Sequence, residues 1–367
     1  MAETFYMPVR VVEGEGCVVQ NAELLAPLGK KALIVTGKSS ARNGSLADVQ
    51  AALKANGQKY SVFDGVLPNP TVGCVRSGAG MAKETGADFV VAIGGGSPMD
   101  AAKAIALLAK QDITDDSLFS GKYSADVLPM AHVPTTAGTG SEVTQYSILT
   151  DDAAESKTSI ATPYIFPRVA FLDGRYMLSL GHNTMVNTAM DALSHAIEGM
   201  LSVKAGALSD LLAKESIRTI CSLAPEIQSG ALGPAERQAL LHASMLAGTV
   251  IANTGTTAVH ALGYSLTYYH EIDHGRANGL LLGALLAFCG EKMPDKVNEI
   301  LTAGGFADLN AFCGMLGAFL GKREALTERE MEKYAAKAFR AKNMANCAYK
   351  PSENDLYVLL KTSLEVC

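Results

Sequence analysis

No stretch of this 367-residue chain carries five consecutive basic residues. Lys and Arg number 31 against 37 Asp and Glu, giving a formal charge of −6 and a pI near 5.7. The chain therefore lacks the basic face of a nucleic-acid binder. No apolar run approaches the roughly 18 residues of a membrane span. The longest, GLLLGALLAFCG (279–290), reads as a buried helix. The opening MAETFYMPVRVVEGEG lacks the basic segment and apolar run of a secretory signal, so a cytoplasmic protein is expected. No CxxC occurs, and seven cysteines stand singly along the chain. An odd, scattered set fits reduced, mostly buried thiols rather than a disulfide framework. Internal repeats and low-complexity segments are absent.

What is present is an ordinary globular composition, 48% hydrophobic and 19% charged. The length suggests about two domains at roughly 100–200 residues each. In the first half, short β-rich runs alternate with helical spacing. KALIVTG (31–37), YSVFDGV (60–66) and DFVVAIGGG (88–96) read as strands. SLADVQAALKANG (45–57) and CVRSGAGMAKETGA (74–87) read as helices, and AHVPTTAG and PRVAFLDG as further strands. Such alternation predicts a parallel α/β sheet of the Rossmann-like kind. From about Asn183 onward, Ala and Leu recur with a period near 3.6 and β-branched runs thin out. The expected division is an α/β domain over 1–180 and an all-helical domain over 181–367.

Two glycine-rich stretches follow predicted strands. In VVAIGGGSPMDAAKA a strand runs into Gly94-Gly95-Gly96, with Ser97 at the expected N-cap and Pro98 at the first helical position. Bare N–H groups at a helix N-terminus suit a pyrophosphate, although GxGxxG itself is missing. A tight strand-to-helix turn is the plainer reading. In HVPTTAGTGSEVTQY, Thr135, Thr136, Thr139, Ser141 and Thr144 gather hydroxyls around two glycines. Both stretches would lie at the carboxyl ends of parallel strands, where ligands bind.

In NTAMDALSHAIEG, Asp191 and His195 are spaced i, i+4 and would project from one helix face. A carboxylate and an imidazole make half a site for a divalent ion such as Fe²⁺ or Zn²⁺. His260 and His274 could complete it. On one unbroken helix they would stand about 21 Å apart, so the chain must break between them. Asp273 and Gly275 are the candidate breakers, with His274 in a turn. An ion held by three neutral imidazoles and one carboxylate keeps net positive charge and can act as a Lewis acid.

GGGSPMDAAKA, PTTAGTGSEVT, MDALSHAIEG and HALGYSL…HGRANG together resemble the motifs of the iron-containing (group III) alcohol dehydrogenase family. Their order and spacing match along nearly the whole chain, starting at ALIVTG and FDGVLPNPT. The resemblance implies an N-terminal dinucleotide-binding domain and a C-terminal helical domain, with metal and substrate in a cleft. It places the metal on Asp191, His195, His260 and His274. It places cofactor contacts on Gly94, Gly95, Ser97, Asp100, Thr135, Thr136, Thr144 and Lys157, with Asn69 in the PNPT stretch. The implied activity is hydride exchange between a nicotinamide and a primary alcohol or aldehyde.

Two departures stand out. Many members carry an aspartate where this chain has Gly37. An acid there holds the ribose 2′-OH and repels a 2′-phosphate. Gly37 removes the repulsion, and Lys38, Ser39, Ser40 and Arg42 offer phosphate partners, so NADP(H) is expected over NAD(H). Many members also carry a non-ligand histidine four residues after His260, where this chain has Tyr264. Tyr264 and His270 are then the candidates for passing the proton. A glycerol- or propanediol-type polyol dehydrogenase is the near alternative. A dehydroquinate-synthase-like lyase would need a basic cluster, and the stretch offers only Lys157 and Arg276. A non-catalytic nucleotide binder conflicts with a complete ligand set. Apolar helices over 206–222 and 236–252 serve core or dimer contacts equally, and a homodimer is the expected assembly.

Overall fold

A computed structural model describes residues 3–366. Its first elements are strand β1 (Arg10–Glu13), the short helix α1 (Cys17–Gln20), β2 (Lys31–Thr36), α2 (Ser45–Ala55), β3 (Lys59–Phe63), α3 (Val72–Thr85), β4 (Phe89–Gly94) and α4 (Gly96–Leu108). Then follow β5 (Met130–Pro134), β6 (Tyr146–Asp151), β7 (Ser156–Ala161) and β8 (Val169–Leu172). Six strands form one parallel sheet in the order β1-β8-β5-β4-β2-β3. The expected parallel α/β architecture is therefore present. The alternation was legible for four of its strands, β2 to β5, and for the run into β8. β1 and the antiparallel β6–β7 hairpin were not read, since RVVE is short and half exposed and YSILTD interrupts the strand–helix rhythm.

A parallel sheet covered on both faces should carry near-continuous apolar strands. FVVAIG and MAHVP are wholly buried. Successive side chains point to opposite faces. Leu33, Val35, Val90 and Ala92 face the core packed by α3 and α4. Ala32, Ile34, Phe89, Val91 and Ile93 face the core containing Val49, Ala52 and Leu53 of α2. Chain order reverses at the middle of the sheet. β2 leads through α2 to β3 on one side, whereas β4 leads through α4 to β5 on the other. The carboxyl ends of β2 and β4 thus mark a switch point, the usual ligand crevice of an open α/β sheet.

The remaining helices are α5 (His182–Met200), α6 (Ala207–Ser222), α7 (Ala224–Ser229), α8 (Pro234–Thr254), α9 (Ala258–His270), α10 (His274–Lys292), α11 (Pro294–Ala303), α12 (Leu309–Leu320), α13 (Glu328–Phe339) and α14 (Glu353–Ser363). The run 208–228 breaks into α6 and α7 at Leu223, two residues before Pro225, which cannot continue a helix. The run 326–345 ends at Phe339 and finishes as a 3₁₀ turn. From Ala189 to Met200 every residue of α5 is buried, as befits a helix inside a bundle. By internal contacts the chain forms two compact units. One comprises Met7–Leu180 with Gly233–Leu241. The other comprises Gly181–Leu232, the chain from His242 onward and the residues before Met7. The first residues of α8 thus pack with the sheet unit, where Gln238 accepts a hydrogen bond from the Gly174 amide at 2.7 Å.

Among the described residues no helix is long and apolar enough to cross a membrane. Six cysteines are free thiols, and burial pushes Cys17, Cys221, Cys289 and Cys347 up to about 12. Such thiols stay protonated and chemically quiet. Cys367 lies outside the described residues.

Candidate functional site

In the helical unit, four side chains from three helices converge. Asp191 and His195 project from one face of α5, one turn apart. His260 comes from the first turn of α9, and His274 opens α10. Asp191 Oδ1 lies 3.9 Å from His195 Nε2, 3.8 Å from His260 Nε2 and 3.9 Å from His274 Nε2. Asp191, His195 and His260 each offer a ligand atom within 4.8 Å of the others, and His274 meets this trio at Asp191. The donor set, three imidazoles and one carboxylate without thiolate, fits a borderline divalent metal. Asp191, His195 and His260 are buried, while the His274 side chain is 24% exposed, the most open of the four. Burial alone would raise the Asp191 carboxyl, but the three imidazoles and the Asn278 amide hold it below the usual carboxylate range.

The break between His260 and His274 takes a different form from the expected one. α9 ends at His270, Glu271 turns left-handed at φ 53°, and Asp273 occupies the N-cap position of α10 without a side-chain capping bond. His274 is thus a helix N-terminal residue rather than a turn residue. Gly275 lies inside α10 and breaks nothing. A Cβ there would stand 1.8 Å from the Asn187 carbonyl oxygen and 3.0 Å from Asp191 Cβ. Glycine at this position lets the start of α10 press against α5, which is what carries His274 to Asp191.

The sequence reading missed two residues behind the ligands. Glu198, fully buried, takes His260 Nδ1 with one oxygen. Its other oxygen accepts from the Thr257 and Val259 amides at 3.0 and 2.9 Å and from the Thr257 hydroxyl at 2.6 Å. One carboxylate thereby caps α9 and fixes the His260 tautomer with Nε2 turned toward Asp191. Glu198 stands i+3 from His195 on the ligand-bearing helix, a spacing that was legible. Asn278, i+4 from His274, places its amide nitrogen 3.0 Å from Asp191 Oδ1 and 3.1 Å from His260 Nε2.

The two proton-relay candidates separate. The Tyr264 ring lies parallel to His274 with centroids 5.5 Å apart and edge-on to His260 at 6.3 Å. His270 faces α13 instead, with Nε2 2.8 Å from the Tyr334 hydroxyl and 3.6 Å from Glu330. Arg276 is committed to Glu324 and to the Leu320 and Lys322 carbonyls. It is therefore not available as part of the basic cluster that a lyase substrate would require.

In the sheet unit, the two glycine-bearing stretches lie side by side at the carboxyl ends of β4 and β5, and the Thr135 amide donates to the Gly94 carbonyl at 2.9 Å. α4 begins one residue before the expected cap. Gly95 is the N-cap, Ser97 sits within the first turn, and Pro98 is the third helical residue. The glycines answer a packing need. Cβ atoms on Gly95 and Gly96 would come 2.8 Å from Thr136 Oγ1 and 2.6 Å from Thr139 Cγ2. Glycine here admits the second loop, and the first-turn N–H groups have no intrahelical acceptor, the general property that suits a helix N-terminus to an anion. Asn69, left-handed at φ 56°, donates its amide to Ser97 Oγ at 3.2 Å. Asp100 accepts from Ser141 Oγ at 2.6 Å and from the Ile148 amide at 3.1 Å, and the Lys157 charge acts on it. Thr144 accepts from Lys103.

Beside this crevice, the loop after β2 exposes Lys38, Ser39 and Arg42, but Ser40 is buried, 2.7 Å from Thr36 Oγ1. Lys38 Nζ is 2.9 Å from Asp64 Oδ2, and the ammonium holds that carboxyl below its usual range. Gly37 itself is half-buried.

The family described as iron-containing alcohol dehydrogenase matches residues 8–174, and its C-terminal counterpart matches 185–364. Lactaldehyde reductase of Escherichia coli K12 is 35% identical over 279 residues, 75% of this chain and 72% of that protein. An iron-containing alcohol dehydrogenase from Thermotoga maritima superposes with a TM-score of 0.92 at 39% identity, over 99% of both chains. A sulfoacetaldehyde reductase from Bifidobacterium kashiwanohense, solved with NAD⁺, gives 0.89 at 29% identity, again over 99% of both chains.

Proposed function

Because the chain belongs to the iron-containing alcohol dehydrogenase family, we propose that it interconverts a primary alcohol and an aldehyde with NADP(H) as hydride carrier. The family makes it an oxidoreductase linked to a nicotinamide nucleotide.

One observation carries the mechanism: the Nε2 atoms of His195, His260 and His274 all lie within 3.9 Å of Asp191 Oδ1, and three of the four residues are buried. These four residues would hold Fe²⁺ or Zn²⁺, which supplies Lewis acidity toward the substrate oxygen. Glu198 keeps His260 in the tautomer that offers Nε2. Tyr264, stacked on the most exposed ligand, is the group placed to hand the hydroxyl proton outward. His270, tied to Tyr334, is the second candidate and would act one step further from the chemistry.

On the sheet unit, Gly94 at the end of β4, the N-cap Gly95, Ser97 in the first turn of α4, Asn69 and the threonines 135, 136, 139 and 144 would seat the pyrophosphate and nicotinamide half. Lys157 adds positive charge. Gly37 contributes no carboxylate of its own against a 2′-phosphate, and the exposed Lys38, beside Asp64, together with Ser39 supports NADP(H). The domains would run 1–180 for the nucleotide and 181–367 for metal and substrate, in a cytoplasmic homodimer. Reduction of small aldehydes is the expected physiological direction. A polyol substrate is the second reading, favoured by the relative named lactaldehyde reductase and by a solved structural neighbour named 1,3-propanediol oxidoreductase.

The test is a turnover assay on butyraldehyde, lactaldehyde, glycerol and propanediol with NADH and NADPH, after loading with Fe²⁺ or Zn²⁺. The expected result is metal-dependent nucleotide oxidation with an aldehyde, faster with NADPH. No absorbance change with any pairing would sink the proposal.

A further inference from the structure

Lys103 is an ammonium group on a helix otherwise packed with Ala, Ile and Leu, and it is fully buried. Burying an ammonium is unfavourable unless its donors are taken. A lysine has three, and each is used. Nζ lies 2.8 Å from Ser141 Oγ, 3.1 Å from Thr144 Oγ1 and 2.8 Å from the Tyr146 carbonyl. Ser141 in turn donates to Asp100 Oδ1, one turn before Lys103 on α4. All three acceptors belong to the second loop and the strand it leads into. The glycine turn meets the same loop at Thr136 and Thr139. A leucine would fill comparable space in this core, so the charge is there for its hydrogen bonds.

We propose that Lys103 is a positioning residue: by gripping Ser141 and Thr144 it holds the second loop against the start of α4, and so sets nucleotide affinity without touching the nucleotide. The inference rests on the reading of these two loops as the nucleotide site. The groups facing Lys103 are Asp100 from α4, Glu142 from the turn after β5, His132 from β5 and the Tyr146 carbonyl from β6. Among the described residues only Ser141, Thr144 and Tyr146 accept from it within 3.1 Å, so the loop is where its loss would be felt.

The test uses the full-length chain and the variants Lys103→Met, Ser141→Ala and their combination. NADPH and NADH affinities are measured by fluorescence titration, alongside thermal unfolding and steady-state kinetics. Lys103→Met should weaken nucleotide binding about tenfold or more, and Ser141→Ala several-fold. The combination should be no weaker than Lys103→Met alone, because both act through one contact. Nucleotide KM should rise while the alcohol KM and kcat at saturating nucleotide stay near wild type. Nucleotide affinities within twofold of wild type, whatever the melting temperature does, would overturn the proposal, as would additive losses in the combination. Should Lys103→Met not fold, unchanged affinity in Ser141→Ala does the same. A wild-type chain that binds neither nucleotide overturns the underlying reading of the loops instead.

Discussion

In the helical unit the candidate chemistry is carried by side chains. Asp191, His195, His260 and His274 converge, and Glu198 and Asn278 stand behind them. In the sheet unit it is carried mainly by backbone, the bare amides of the first turn of α4 and the glycines that let a second loop close over it. A side-chain site loses its function when one group goes, because nothing else offers that atom. A backbone site tolerates most side-chain changes and fails where a Cβ appears. The contrast reflects the ligands. A small, hard-to-desolvate cation needs specific donor atoms at fixed distances, whereas a pyrophosphate accepts from any well-aimed N–H.

The largest expected effect falls on the side-chain site. His260→Ala should remove bound metal and lower turnover by more than about a hundredfold, with nucleotide affinity intact. Elemental analysis beside a nucleotide titration checks this, and full turnover in a metal-free variant would break the comparison. Glu198→Gln keeps the shape but removes the charge behind His260. Metal affinity should fall about tenfold in chelator competition, and an unchanged affinity would reduce Glu198 to a helix cap.

The backbone site is probed by Gly95→Ala. Its Cβ would press on Thr136 Oγ1, so nucleotide binding should weaken about tenfold while metal content stays the same. Equal loss of both would mean the two sites are not independent. The smallest effect concerns pH. Glu142 is buried, which raises its carboxyl from 4.5 to about 7. Its folded value lies above the unfolded one, so the folded chain holds the proton more tightly and stability falls as pH rises from 4.5 through 7. Glu142→Gln should flatten that decline by about 1–3 kcal/mol, read from denaturant melts at pH 5 and pH 8. A slope that persists would assign it to other groups.

Much of both sites was visible in the chain order. The i, i+4 pairing of Asp191 and His195 survives as one face of α5, because helical spacing is local. The requirement for a break before His274 followed from helix rise alone. The cause of the approach did not. Gly275 reads as a helix breaker from its neighbours, yet it sits inside α10 because the Asn187 carbonyl leaves no room for a Cβ. Likewise Ser97 has the chemistry of an N-cap, but the helix starts at Gly96 once the loop carrying Thr136 and Thr139 packs on the turn. His270 and Tyr264 looked equivalent along the chain. The helix end separates them, turning one ring to α13 and the other onto His274.

The sequence by itself determined the alternation that builds a parallel sheet, the glycine turn after β4, the candidate ligand types and the family they resemble. These rest on local periodicity and on side-chain chemistry, which need no knowledge of distant neighbours. Only the tertiary structure decided which glycines serve close packing, that Glu198 backs His260, and that Lys103 ties α4 to the second loop. Each depends on residues about 40 to 90 positions apart meeting in space, and in one chain that pairing leaves no local mark.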